Sequence, residues 1–171
     1  NTKQPKAFAV RIRLPNRSVS ELYSGEPTSD GVTSVRVNGH EIDPPKENGY
    51  ALIERTWKTG DRIELRLPMK IQRVTGVDKI KATRGQVALR YGPLLYCVEN
   101  VDQEIDKKLP HEGSLKAEWR GDFLGGVQVI TGEWSDGSPL LAIPYYARQN
   151  RRDDATAVGQ RVRSSVWIDE D

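Results

Sequence analysis

The chain has 171 residues, 36% of them apolar and 29% charged, with 26 basic and 24 acidic side chains giving a formal net charge of +2. That is chain enough for one large domain or two small ones, and so even a balance argues against nucleic acid or membrane held by bulk charge. A single cysteine, Cys97, excludes an internal disulfide, and apolar runs of about five residues fall far short of a membrane span.

From the N-terminus the apolar pattern has period two, the spacing of a strand with one covered face. Phe8, Val10, Ile12 and Leu14 alternate with Arg11 and Arg13 until Pro15. Val35 and Val37 run into Asn38-Gly39, a pair that accepts the positive φ both positions of a tight hairpin turn require. Ala51, Ile53 and Trp57 share one face of the next strand, with Arg55 an exception on that face. Lys58-Thr59-Gly60-Asp61 reads as a turn, after which Ile63, Leu65 and Leu67 alternate with Arg62, Glu64 and Arg66 up to Pro68.

The weaker, more polar pattern from Lys70 to Gly85 predicts a connection, with a domain boundary near residues 70 to 82. Val87, Leu89 and Tyr91 then alternate up to Gly92-Pro93, and Leu94 to Val98 is continuously apolar, as a strand covered on both faces would be. The polar stretch 100–118 predicts one short helical turn. Further strands are expected over 125–130, 140–143 and 162–168, with Asp136-Gly137 as a turn. No segment carries the period and caps of a long helix. The expectation is an all-β chain of two small antiparallel β-sandwiches packed in tandem, the first over residues 1–75 and the second over 76–171.

The usual constellations of catalysis are missing. There is neither a phosphate-binding glycine loop nor a dinucleotide fingerprint. His40 and His111 lack a His or Cys at metal-ligand spacing and read as surface residues. Cys97 lies in Leu94-Leu95-Tyr96-Cys97-Val98, where burial would raise its pKa and keep it a neutral core residue rather than a nucleophile. Glu99, Asp102, Glu104 and Asp106 offer carboxyl groups, and glycoside hydrolysis needs two across a sugar, but a solvated cluster is the expected reading. The same holds for Arg148, Arg151, Arg152, Arg161 and Arg163, near Asp153 and Asp154. Asp153-Asp154 and Asp169-Glu170-Asp171 lack a recognised calcium spacing. Catalytic, cofactor-binding and metal residues are therefore expected to be none. Trp134, Tyr145 and Tyr146 remain as candidate carbohydrate contacts, because sugar faces stack on aromatic rings. Packing is the stronger reading, and as strand neighbours the two tyrosines would point to opposite faces.

Several motifs together resemble one family. Arg11-Ile12-Arg13-Leu14-Pro15, Val35-Arg36-Val37-Asn38-Gly39, Gly49-Tyr50, Trp57 with Gly60-Asp61, and Leu67-Pro68-Met69 look like its first β-domain. Ala88-Leu89-Arg90-Tyr91-Gly92-Pro93-Leu94-Leu95-Tyr96-Cys97-Val98-Glu99 is the most specific match. Ile143-Pro144-Tyr145-Tyr146-Ala147, Asn150-Arg151 and Val166-Trp167-Ile168 complete the order. The resemblance is to the C-terminal β-sandwich region of β-L-arabinofuranosidase-type glycoside hydrolases, family 127 and relatives, formerly a domain of unknown function.

What the resemblance implies is an N-terminal (α/α) helical barrel that carries the chemistry, through a zinc-bound cysteine and glutamates, and that is not contained in this chain. Cys97 matches a cysteine of the family's Gly-Pro-Leu-Tyr-Cys strand and not the catalytic thiolate. The chain departs from the family at Asn16-Arg17 and Arg148, where tryptophan is common, and in its longer 152–165 stretch. A strand that precedes the Phe8 strand in the family is not found here, which predicts an open sheet edge. The expected role is a non-catalytic accessory scaffold of a glycoside hydrolase acting on L-arabinofuranoside-type glycans. The alternatives are a carbohydrate-binding module and a dimerisation domain. Expected partners are the catalytic domain of its own parent chain, a second copy or a glycan, with no nucleic acid and no membrane. No cofactor is expected in this chain. The compartment is not legible at Asn1, and a bacterial periplasmic or secreted parent is the expectation.

Overall fold

The computed structural model describes residues 3–16, 20–151 and 162–171. Its strands in chain order are β1 Lys6–Arg13, β2 Tyr23–Glu26, β3 Ser34–Val37, β4 His40–Ile42, β5 Lys46–Glu47, β6 Tyr50–Trp57, β7 Ile63–Arg66 and β8 Ile71–Gly76. They continue with β9 Gln86–Tyr91, β10 Leu94–Glu99, β11 Lys108–Leu109, β12 Lys116–Arg120, β13 Val127–Glu133, β14 Pro139–Pro144, β15 Ser164–Ser165 and β16 Trp167–Glu170. The fold is all-β with antiparallel sheets, as the period-two pattern predicts. Two short 3-10 turns, Lys81–Thr83 and Tyr145–Ala147, account for the helix among the described residues.

The chain forms two compact units, one of residues 1–19 and 29–69, the other of residues 20–28 and 70–171. The expected division was 1–75 and 76–171. The stretch from Lys70, expected as a connection, instead carries β8, paired to β2 on one edge and β9 on the other. Its strand character is masked in the sequence because one inward position is polar. Gln72 is buried, donating through Nε2 to the Pro27 carbonyl at 2.8 Å and accepting from Arg90 Nε at 3.0 Å. Satisfied in this way, an amide occupies a core position without the cost of an unpaired buried group.

The first unit has two three-stranded sheets, β1-β6-β5 and β4-β3-β7. Between them lie Val35, Val37, Ile53 and Trp57, with Val10, Ile12, Val32, Ile42 and Ile63 packed around. The β3–β4 hairpin turns on Asn38 at φ 52° and Gly39 at φ 81°, the tight primed turn that the dipeptide favours. Arg55 fits its inward position because its guanidinium lies 5.1 Å from the Trp57 ring centroid and 3.8 Å from Asp61. The stem packs while the charge stays paired. Leu65 and Leu67, expected on a covered face, are exposed, Leu65 on β7 at the edge of its sheet and Leu67 just beyond that strand. Among the described residues β1 pairs only with β6, leaving its other edge open.

The second unit is built on one ten-stranded sheet in the order β11-β16-β9-β10-β14-β13-β12, with β15 on β10 and β8 joining β2 to β9. Only β11–β16 is parallel among the pairs described. Tyr96 and Val98 enter the larger core cluster and Cys97 enters the other, so β10 is covered on both faces as its unbroken apolar run predicts. The helical turn expected within 100–118 is not formed. Ile105 and Leu109 are buried in the core there, and turns connect the short β11 to β12.

Candidate functional site

Trp134 precedes the Asp136-Gly137 turn, as expected, but its ring is 1% exposed within the larger core. Its Nε1 donates to Gln103 Oε1 at 3.1 Å, and the same oxygen accepts from the Leu141 amide at 3.0 Å. A buried indole whose polar edge is satisfied this way offers no face to a sugar. Trp134 is core. It lies beneath an open groove of about 530 Å³, which Ser114, Lys116, Thr131, Glu133 and Ser135 line.

Tyr145 and Tyr146 are not strand neighbours. They open the 3-10 turn that follows Pro144, with the Arg148 amide bonded back to the Tyr145 carbonyl at 3.1 Å. Both rings are exposed. Arg148 donates to the Tyr145 hydroxyl at 2.9 Å and lies 5.0 Å from that ring's centroid, so one face of Tyr145 is already occupied. Tyr146 is 64% exposed.

Of the carboxyl cluster that the sequence reads as solvated, Glu104 and Asp106 are exposed, while Glu99 and Asp102 are instead tightly paired. Glu99, at the end of β10, is buried. Its Oε2 lies 2.6 Å from Arg151 Nη2, and its Oε1 accepts from the Gln149 amide at 2.6 Å. Arg151 also grips the Asp102 carboxylate with two nitrogens and lies 5.0 Å from the Phe123 ring centroid. The reach across 52 positions explains why sequence proximity missed it. Arg163 pairs with Asp106 at 2.8 Å on the surface, while Arg152, Asp153, Asp154 and Arg161 lie outside the described residues.

Next to Glu99, the Cys97 thiol is buried. Burial pushes its pKa up to about 11, Glu99 adds to the rise and Arg148 and Arg151 oppose it. The thiolate that a nucleophile or metal ligand requires is therefore disfavoured. The acids of the C-terminus are also engaged. Glu170 lies 2.7 Å from Arg73 and 3.2 Å from His111, Asp169 accepts from Gln86 at 2.9 Å, and Asp171 bonds Ser135 and faces Lys108. His40 is exposed. Among the described residues, no group of three His, Cys, Asp or Glu side chains is placed to hold a metal ion.

One strongly exposed aromatic residue escapes the sequence reading. Trp119, on β12, is 65% exposed. A Cβ on Gly126 would lie 2.7 Å from the indole Cζ2, so only glycine lets the backbone approach the ring so closely. The adjacent run of Leu124, Gly125 and Gly126, all at positive φ, is the local signal. The Gly125-Gly126 pair lacks the helix of a nucleotide loop, but it does seat this tryptophan.

Comparison with known proteins bears on both units. The glycoside hydrolase family 127 C-terminal domain matches residues 71–160, and the middle domain of the β-L-arabinofuranosidases of that family matches residues 1–69. A non-reducing end β-L-arabinofuranosidase of Bifidobacterium longum subsp. longum is 29% identical over 162 residues, covering 78% of this chain and 24% of that protein. A family 127 β-arabinofuranosidase of known structure superposes with a TM-score of 0.81 at 27% identity, over 99% of this chain and 29% of the other. The crystal structure of a family 127 β-L-arabinofuranosidase from Geobacillus stearothermophilus T6 gives 0.69 at 31% identity, over 100% and 30%. The chain thus spans about a quarter of the curated relative and under a third of each solved one.

Proposed function

The chain belongs to glycoside hydrolase family 127, and on that premise we propose that it is a non-catalytic accessory scaffold, bracing the catalytic domain of a longer enzyme that cleaves β-L-arabinofuranosides. The observation that carries this reading is coverage. The matched regions are a middle and a C-terminal domain, and they amount to under a third of each solved relative.

The chemistry of the described residues supports it. The thiol of Cys97 is kept protonated by burial. Glu99 and Asp102 are tied to one guanidinium, so neither is poised to protonate a leaving group or attack a sugar carbon. Sheets whose apolar faces are filled by Val, Ile and Leu supply rigidity, which is what a flank to a catalytic domain requires.

The test is direct. The purified chain is incubated with aryl and methyl β-L-arabinofuranosides, and release of arabinose is followed. No turnover above buffer is expected. Hydrolysis that disappears in Glu99→Gln or Asp102→Asn would overturn the scaffold reading.

A further inference from the structure

Trp119 and Tyr146 are the two most exposed large aromatic side chains among the described residues, at 65% and 64%. In the sheet, β13 lies between the strand of Trp119 and the strand that leads into Tyr146. Trp119 faces Gln128 across the β12–β13 ladder. The next ladder, β13–β14, ends at Ile130 opposite Ala142, which leaves the Gln128 carbonyl open to accept from the Tyr96 hydroxyl at 2.9 Å. Tyr96 itself pairs with Pro144, the residue from which the Tyr145–Ala147 turn springs. The Tyr146 phenol is near enough to Tyr96 to add, after burial, to the rise of the Tyr96 pKa to about 12. Gln128 therefore stands on the strand between β12, which carries Trp119, and β14, which leads into the turn of Tyr146, and the backbones of those two outer strands lie about two strand spacings, on the order of 10 Å, apart.

The support of Trp119 is specific. Gly126, at φ 97°, abuts the six-membered ring, and Gly121 lies by the Nε1 edge, where a Cβ would be 3.4 Å away. A ring braced by backbone on one side and open on the other loses little side-chain entropy when something stacks upon it. The surroundings are polar rather than aliphatic. Gln128, half-buried, sits directly across the ladder on the same face, while Arg120 turns to the opposite face over the Phe123 ring. Exposed Trp and Tyr are also enriched at protein interfaces, so the sedimentation measurement below separates a sugar from a second copy. An open indole face beside an amide matches a sugar, with its C–H faces and hydroxyl rim.

We propose that Trp119, Gln128 and Tyr146 form a glycan-contacting platform on the second unit, which takes a pentose-containing polysaccharide chain. It extends the accessory reading above, on which it rests for the class of glycan, and it replaces the buried Trp134 with Trp119 as the stacking residue.

The test is affinity electrophoresis of the 171-residue chain through gels containing soluble arabinan or arabinoxylan, with dextran as the control. Acrylamide quenching of tryptophan fluorescence serves as a second readout. Retardation by arabinan or arabinoxylan but not dextran is expected, with Trp119 shielded from acrylamide when either binding polysaccharide is added. Trp119→Ala and Tyr146→Ala should each weaken retardation at least five-fold, and Trp119→Phe should keep most of it. Circular dichroism checks each fold. Should Trp119→Ala fail to fold, Gln128→Ala and the shielding of the wild-type ring decide. Absence of retardation in both polysaccharides, or retardation that Trp119→Ala leaves unchanged, overturns the proposal. So does sedimentation showing that Trp119 instead joins two copies of the chain. Turnover by the chain would overturn the scaffold reading and leave the binding result standing, so the two failures are distinct.

Discussion

Arg151 holds the buried carboxylate of Glu99, and its removal shows what the pair contributes. Arg151→Met would leave Glu99 charged, buried and without its counterion, a situation that costs about 3–5 kcal/mol. The double variant Arg151→Met/Glu99→Gln should recover much of that loss in urea unfolding. If the single variant is as stable as wild type, the pair is not structural. Cys97 gives a simpler forecast. A buried thiol held at about 11 should resist iodoacetamide at pH 8 in the folded chain and react fully in denaturant. Rapid labelling of the native protein would contradict its burial. The sequence made Cys97 legible because apolar residues flank it on both sides. It could not reveal Glu99, because the partner that makes burial tolerable lies 52 positions away.

At the scale of elements, the turn between β13 and β14 shows local chemistry supporting a core residue. Asp136 accepts from the Ser138 amide at 2.9 Å and pairs with Lys107 at 2.7 Å. The bonds from Lys107 and Ser138 hold its carboxyl far below the ordinary value of 3.8. A carboxylate depressed in the folded state stabilises it above pH 3.8, and that contribution is lost as pH falls toward the folded value. The Tm difference between wild type and Asp136→Asn should therefore be constant from pH 5 to 7 and narrow below about 3.8. A difference independent of pH down to 2 would remove the carboxylate from the account. Immediately before the turn, Trp134→Ala should destabilise the chain by about 3–5 kcal/mol, read by urea unfolding. A loss below 1 kcal/mol would mean the ring is not core. β12 and β2 were hidden in the sequence because they are short and largely polar. Edge position relaxes the demand for alternation in β2, whereas β12 alternates but offers only Ala117 and Trp119 as apolar positions.

For the whole molecule, each unit has its own buried cluster, with Trp57 in the first and Trp134 in the second. The period-two runs, the Asn38-Gly39 hairpin and the doubly covered β10 were all readable, because alternation and turn chemistry act over two to four residues. So was the family, since its motifs are local and in order. The placement of residues 20–28 in the second unit was not readable, nor was the strand over 71–76. Both depend on pairing of β2 with β8, which no local pattern announces. The aromatics divide in the same way. Sequence alone determined that the chain is all-β and carries aromatic residues near its turns. Only the tertiary structure decided that Trp134 is enclosed while Trp119 and Tyr146 are open. Exposure is set by which distant strands cover a ring, and period-two alternation specifies a face without specifying what lies over it.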